Sequence, residues 1–245
     1  MFLDKKLIIF DLDGTLIDSL GVWSRVDQTL ISRLTQGRIE LTEDEAGARR
    51  QAAMRRYGEG SEAYLRYMAD MKAEFDLPGT PEEIHHQRYE IAQEFLRNQV
   101  NYREGVSEVV KALSKAGLML AVATTTRRRN IETYIKDNQL MRNQLPLEKY
   151  FRLIVTRDDV RRVKPDPEVF EKIMTFFKVQ PAECLVVEDA LPGLLAAQAC
   201  GIERVVVSEP HNEMPRTVLD ALSLRRFENY AQMRVVIEKE VVAKA

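Results

Sequence analysis

Five short apolar runs recur along the chain and predict buried strands. Several of them are rich in β-branched residues, and they cover residues 7–10, 119–123, 153–155, 185–187 and 205–207. Longer amphipathic patterns with helical spacing separate most of these runs. Such alternation is typical of β-α units on a parallel sheet with helices on both faces. We therefore predict an α/β fold with a Rossmann-like parallel sheet.

The region between the first two predicted strands has a different pattern. It contains no convincing strand and several amphipathic patterns, and both Thr42 and Thr80 are followed by acidic residues in the manner of a helix N-terminus. Breaks between helices are predicted at residues 58–60 and 77–79, where Gly and Pro occur. The predicted division is an all-α cap domain of residues 18–101 inserted into a discontinuous α/β core of residues 1–17 and 102–245.

Composition and charge narrow the possible partners and location. The chain has 245 residues, of which 45% are hydrophobic, and its formal net charge of -2 favours neither nucleic acid nor an anionic membrane surface as a partner. Cys184 and Cys200 lack the spacing of a zinc site or a disulfide framework. The N-terminal residues do not have the pattern of a signal peptide, and no uncharged run approaches the roughly 20 residues of a membrane span. We expect a soluble cytoplasmic protein.

Polar residues follow the predicted strands, at the points where the strands end. In an open α/β sheet, ligands bind in the crevice beyond the carboxyl ends of the strands, so we expect these residues to lie close together. They are Asp11, Asp13 and Thr15 after the first run, Thr124, Thr125 and Thr126 after the second, Lys164 in a Val-Lys-Pro-Asp-Pro segment after the third, and Glu188 and Asp189 at the end of the fourth.

The predicted cluster of carboxylates indicates a cation and a phosphorylated substrate. Carboxylates that converge in one crevice raise one another's pKa and destabilise the fold unless a cation offsets them. Oxygen ligands favour Mg²⁺, which proteins commonly bind together with substrate phosphate oxygens. A carboxylate can attack phosphorus, a second acid can transfer protons, and a Thr124 hydroxyl and the Lys164 ammonium can stabilise the phosphoryl group.

In order along the chain, these segments resemble the four motifs of the haloacid dehalogenase-like superfamily. The matching segments are Asp11-Leu12-Asp13-Gly14-Thr15, the apolar run ending at Thr124, Lys164 before a proline, and Glu188-Asp189 followed by Pro192-Gly193-Leu194. The insertion after the first strand is similar to that family's first type of helical cap. The resemblance covers the whole predicted core.

The resemblance implies roles for individual residues. Asp11 would be the nucleophile that forms an aspartyl-phosphate, and Asp13 the general acid/base. Mg²⁺ would be held by the Asp11 side chain, the Asp13 main-chain carbonyl and Asp189, with Glu188 as a direct or water-mediated partner.

Four residues are predicted to bind the phosphoryl group beside Asp11. The resemblance implies that Thr124 and Lys164 hold it. We also predict contacts from Gly14, which forms the turn beside Asp13, and from Thr125, because the register of three consecutive threonines leaves it open as an alternative to Thr124.

Three functions fit these motifs, and we favour a phosphatase acting on a small phosphorylated metabolite, either a sugar phosphate or a phosphoglycolate-like acid. A β-phosphoglucomutase-like activity is the main alternative, but Trp23 stands where those mutases carry a hinge histidine. A phosphate-binding or regulatory module without turnover is the third possibility, and such a module has no need of Asp13. The second aspartate likewise argues against dehalogenation.

Overall fold

The computed structural model describes residues 1–58, 60–210 and 214–244. Within this part of the chain, two compact units are distinguished by their internal contacts. The larger unit consists of Met1–Asp18 and the chain from Asn101 onwards, and the smaller unit is Ser19–Val100. None of the helices described has the length and hydropathy that a bilayer crossing requires.

A parallel sheet forms the centre of the larger unit. Its strands are β1 (Leu7–Phe10), β2 (Met119–Ala123), β3 (Leu153–Val155), β4 (Cys184–Glu188), β5 (Glu203–Val207) and β6 (Arg226–Phe227). Their order is β3-β2-β1-β4-β5-β6, and every pair of neighbours is parallel. The strand order reverses beside β1, and the carboxyl edge at such a point is where open α/β sheets bind their ligands.

The smaller unit is all-helical in its described residues. It contains α1 (Val22–Leu34), α2 (Glu43–Tyr57), α3 (Ser61–Phe75) and α4 (Pro81–Asn98). The side chains of Thr42 and Thr80 each accept a hydrogen bond from the third helical residue, whose Glu side chain bonds back to the cap, so both predicted helix starts are confirmed. Both predicted breaks also fall between helices.

A buried ion pair joins two helices of the smaller unit. The Asp27 carboxylate accepts hydrogen bonds from Arg88 Nε at 2.5 Å and from the Tyr67 hydroxyl at 3.2 Å. The Arg88 guanidinium lies 5.3 Å from the centre of the Trp23 ring. Burying a charge costs free energy unless the charge is paired, and here the ion pair and the contact with the Trp23 ring offset that cost.

Helices cover the sheet of the larger unit on both faces. Successive side chains of a strand point to opposite faces, and all four residues of β1 are fully buried. Side chains of the segments after β3 and β4, including Phe170, Ile173 and Ala197, pack on one face against Leu7 and Ile9. The predicted α/β class is therefore confirmed. The helices are α5 (Val106–Lys115), α6 (Arg128–Lys136), α7 (Gln139–Gln144), α8 (Leu147–Tyr150), α9 (Glu168–Phe177), α10 (Leu191–Ala199), α11 (Arg216–Ala221) and α12 (Tyr230–Lys244).

Candidate active site

The turn after β1 places Asp11 and Asp13 at the carboxyl edge of the sheet. The Asp11 amide continues the ladder by donating to Val187 O of β4 at 2.9 Å. Two later amides of the turn, those of Leu16 and Ile17, both donate to Leu12 O, which brings the chain back on itself. Gly14 has a φ of +78°, a left-handed conformation in which other residues are strained. This local geometry explains why glycine follows the second aspartate.

The Lys164 ammonium connects the ends of three strands. Its Nζ donates to Asp11 Oδ1 at 2.8 Å, to Glu188 Oε1 at 2.5 Å and to the Ala123 carbonyl at 2.9 Å. These acceptors follow or end β1, β4 and β2, whereas Lys164 itself lies in the loop before α9. The side chain is only 4% exposed. The structure thus brings the predicted lysine into direct contact with the predicted nucleophile.

Glu188 and Asp189 are held at the end of β4 by different partners. The second Glu188 oxygen, Oε2, accepts from the amides of Asp189 and Ala190 at 3.2 and 3.4 Å. A Cβ atom built on Gly193 would lie 1.7 Å from Glu188 Oε1, so the carboxylate lies directly against the first turn of α10. Asp189 Oδ1 accepts from the Thr15 hydroxyl at 2.8 Å.

Two threonine hydroxyls hold the carboxylate of Asp13. Its Oδ2 accepts from Thr126 Oγ1 at 2.5 Å and from Thr124 Oγ1 at 3.3 Å. The Thr126 amide in turn donates to Thr124 Oγ1 at 3.0 Å. Thr124 is buried, whereas Thr125 is exposed. The sequence placed all three threonines at this edge but predicted site roles only for Thr124 and Thr125, so the hydrogen bond of Thr126 to Asp13 was not predicted.

Burial and neighbouring charges shift the pKa values of the ionisable groups in the site. Burial raises the pKa of Asp11 well above its ordinary value, and Lys164 only partly offsets this effect. Burial together with the charge of Glu188 raises the pKa of Asp189 to about 7. Burial lowers the pKa of Lys164, but the charges of Asp11 and Glu188 outweigh it, so the pKa is raised and the ammonium stays protonated. A site of this kind favours an additional positive charge.

The carboxylates fit a hard divalent cation. Asp11, Glu188 and Asp189 each offer an oxygen, and these oxygens lie within 4.8 Å of one another at buried positions. One ammonium, that of Lys164, stands against three carboxylates, which leaves an excess of negative charge. Carboxylate oxygens are the donors that Mg²⁺ and Ca²⁺ prefer. The donor set and the charge are therefore suited to the predicted Mg²⁺.

The chain belongs to the haloacid dehalogenase-like hydrolases. Residues 8–207 match the model of that family, which confirms the family predicted from the sequence. The chain is thus a hydrolase of this family by fold and by sequence.

Curated relatives and solved structures resemble the chain over most of its length. A phosphoglycolate phosphatase of Pseudomonas fluorescens is 30% identical over 89% of this chain and 77% of its own. Protein CbbY of Rhodobacter capsulatus is 29% identical over 84% of this chain and 86% of its own. A crystal structure from Thermotoga maritima, provisionally described as a β-phosphoglucomutase, has a TM-score of 0.76 and 24% identity, covering 95% of this chain and 99% of its own.

Proposed function

We propose that this chain is a Mg²⁺-dependent phosphatase that hydrolyses a small phosphomonoester through an aspartyl-phosphate on Asp11. The observation that carries the proposal is the contact of Asp11 with Lys164 at 2.8 Å, at the same sheet edge where two threonines hold Asp13. The proposed substrate is a small phosphorylated acid or sugar, and the resemblance to a phosphoglycolate phosphatase supports the acid.

In the first half of the reaction, Asp11 acts as the nucleophile. One of its carboxylate oxygens attacks phosphorus, and the bond between phosphorus and the ester oxygen breaks. Asp13, in its protonated form, gives its proton to the leaving alkoxide, so the product alcohol departs neutral. A positioned acid of this kind contributes about 10²- to 10⁴-fold in rate.

The second half releases phosphate and restores the enzyme. Asp13, now a carboxylate, takes a proton from a water molecule, and the water oxygen attacks phosphorus. The bond between phosphorus and the Asp11 oxygen then breaks, giving orthophosphate and the free Asp11 carboxylate. Asp13 is again protonated, and the cycle can repeat.

Other residues bind the phosphoryl group and keep Asp11 in place. We assign Thr124 and Lys164 to phosphoryl oxygens, where a hydroxyl and an ammonium offset the charge that develops during transfer. The single proton of the Thr124 hydroxyl would then turn from Asp13 to the phosphoryl oxygen, and the second threonine hydroxyl would still hold Asp13. Gly14 and Thr125 complete the proposed phosphate-binding set. Lys164 also holds one oxygen of Asp11 by a hydrogen bond, and this contact orients the carboxylate for attack.

The proposed Mg²⁺ ligands are the Asp11 side chain, the Asp13 main-chain carbonyl and Asp189, with Glu188 as a direct or water-mediated partner. When bound, the ion would supply positive charge that neutralises the phosphoryl oxygens and the clustered carboxylates. Both Glu188 oxygens already accept hydrogen bonds within the protein. We therefore assign Glu188 a second role, the orientation of Lys164.

The smaller helical unit is proposed to act as the cap predicted from the sequence. Caps close over a bound substrate, exclude water that has not been positioned, and determine which substrates fit. Its side chains would then select among phosphorylated metabolites.

The experiment that tests this function is an assay of orthophosphate release from p-nitrophenyl phosphate. We expect release that stops on treatment with EDTA and returns with added Mg²⁺, and a panel of phosphorylated metabolites should then reveal the preferred class. Binding of phosphate and Mg²⁺ in a thermal-shift titration without any turnover would instead favour a non-catalytic module.

A second assay separates the phosphatase from the mutase. With β-glucose 1-phosphate and a catalytic amount of the bisphosphate, a phosphatase yields orthophosphate. Accumulation of glucose 6-phosphate would overturn the proposed reaction in favour of a mutase.

A further inference from the structure

Three consecutive backbone carbonyls follow Asp13, and each accepts a hydrogen bond from a residue distant in sequence. Gly14 O accepts from Arg103 Nη1 at 2.5 Å, Thr15 O from the Tyr230 hydroxyl at 2.9 Å, and Leu16 O from the Arg103 amide at 3.0 Å. Arg103 therefore provides two of the three donors, one from its side chain and one from its backbone.

The Arg103 side chain also ties this turn to the end of β5. Its other terminal nitrogen, Nη2, donates to the Ser208 carbonyl at 2.5 Å, and Nη1 lies 3.6 Å from Glu209 Oε2. The guanidinium is 6.0 Å from the centre of the Tyr230 ring, and the side chain is 14% exposed. A guanidinium offers donors on different nitrogens in one rigid plane and can hold two carbonyls at once, whereas all donors of an ammonium are on one nitrogen.

Arg103 lies where the chain returns to the larger unit. The neighbouring Tyr102 pairs with Ile17 in an antiparallel bridge, and the Asp18 amide donates to Asn101 O at 3.0 Å. The outgoing and returning segments are thus paired beside the turn that carries Asp13. Arg103 is the residue of the returning segment whose side chain reaches Gly14.

We propose that Arg103 is a positioning residue for the catalytic turn, fixing the backbone of residues 14–16 and hence the position of Asp13, without touching the reacting atoms. The inference rests on the proposed function, because that proposal makes Asp13 the general acid/base. Threonine hydroxyls hold the Asp13 carboxylate from the side of β2, and Arg103 holds the following backbone from the side of β5, at the same carboxyl edge of the sheet. A small displacement of a proton-transfer group lowers turnover strongly while substrate binding persists.

The first test compares the variants Arg103→Met and Arg103→Lys with Arg204→Met. Arg204 is a matched control because it is also a partly buried arginine that donates to a backbone carbonyl, that of Ile202 at 3.1 Å, but at the amino end of β5. In orthophosphate release with Mg²⁺, Arg103→Met should lower kcat by about tenfold to about 100-fold, with KM within about threefold of the wild type. Arg103→Lys should recover part of kcat, and Arg204→Met should retain it.

The split between kcat and KM separates positioning from a merely structural role. A structural role would lower the melting temperature while leaving the kcat of the folded protein intact. A kcat for Arg103→Met equal to that of Arg204→Met would overturn the proposal, as would a loss confined to KM.

Hydrogen exchange provides a readout that does not depend on activity. The amides of Gly14, Leu16 and Ile17 are hydrogen-bonded inside the turn, to Ile17 O and Leu12 O. Peptides covering residues 11–18 should exchange at least about tenfold faster in Arg103→Met than in Arg204→Met, because local opening becomes easier. Equal exchange would contradict the positioning role.

The two measurements keep the inference separate from the proposed function. If the wild type releases no phosphate, the proposed function fails, and hydrogen exchange alone decides whether Arg103 holds the turn. If Arg103→Met does not fold, Arg103→Lys is measured in both experiments. It keeps the positive charge but not the planar fork, and kcat and exchange rates equal to those of the wild type would overturn the proposal.

Discussion

The hydroxyl of Thr126 donates a hydrogen bond to the carboxylate of Asp13 at 2.5 Å. The Thr126 amide meanwhile donates to the hydroxyl of Thr124, which also faces Asp13. Two residues of one threonine run therefore orient the proposed general acid/base, and the exposed Thr125 between them does not take part. The position of Thr126 at a strand end predicts that it lies at this edge of the sheet, but not that it bonds to Asp13.

Replacement of Thr126 tests this orientation. The change Thr126→Val keeps the shape of the side chain but removes the donor, so Asp13 should lose its defined position, and kcat should fall by about tenfold with little change in KM. Steady-state orthophosphate release measures both constants. The matched control is Thr175→Val in α9, where an exposed threonine donates to the Glu171 carbonyl. Equal kcat values for the two variants would contradict the assignment.

A side chain at Gly193 should disturb the site through Glu188. The Cβ of Gly193→Ala would lie 1.7 Å from Glu188 Oε1, the oxygen that accepts from Lys164, so the carboxylate must shift from its place against α10. We expect a loss of about 1–3 kcal/mol in the free energy of unfolding, together with reduced activity. Urea denaturation followed by circular dichroism measures the first quantity.

Gly21→Ala is the control for that substitution. Gly21 has a φ of -71°, and its added Cβ would lie 3.8 Å from Glu43 Oε2, an ordinary van der Waals contact, so the change should cost less than about 1 kcal/mol. If Gly193→Ala unfolds at the same urea concentration as the wild type, the Glu188 carboxylate does not lie directly against α10.

Loss of the Lys164 ammonium should destabilise the fold as well as abolish turnover. Lys164→Met leaves the carboxylates of Asp11 and Glu188 buried without their cation, which costs about 3–5 kcal/mol. Adding Glu188→Gln to Lys164→Met should recover part of that loss. The exposed pair of Lys136 and Glu132 provides the contrast, since Lys136→Met should cost less than about 0.5 kcal/mol. Equal denaturation midpoints for the two lysine variants would refute this account.

Binding of Mg²⁺ should depend on Asp189. A ligand that binds only the folded state stabilises it, so Mg²⁺ should raise the melting temperature of the wild type. The increase should be lost in Asp189→Asn and retained in Asp220→Asn, an exposed carboxylate paired with Arg226. A full Mg²⁺ shift in Asp189→Asn would show that the ion binds elsewhere.

Much of the fold could be predicted because the strands are marked by local patterns of apolar residues. The strands β1, β2 and β3 have the predicted bounds, whereas β4 extends to include Cys184 and Glu188, and β5 begins two residues earlier than predicted. The β6 strand was missed because two residues, Arg226 and Phe227, make no apolar run and are ordered by pairing with β5. Backbone hydrogen bonds define where a strand ends, so a polar residue can belong to a strand. A pattern of apolar residues does not detect such residues.

The candidate site was predictable only where its residues stand at strand ends. The structure brings Asp11, Lys164, Glu188 and Asp189 together, as the shared sheet edge required. Arg103 gave no such signal, because its contact with Gly14 spans 89 residues and follows no periodicity. Contacts of that kind depend on tertiary packing, which a single sequence does not display.

The most direct test of the proposed mechanism is orthophosphate release by Asp11→Asn with Mg²⁺ present. The amide keeps the size of the side chain but is a poor nucleophile, so activity should fall by at least about a thousandfold while Asp220→Asn retains it. Circular dichroism should show that both variants are folded. Activity of Asp11→Asn comparable to that of Asp220→Asn would contradict an aspartyl-phosphate on Asp11.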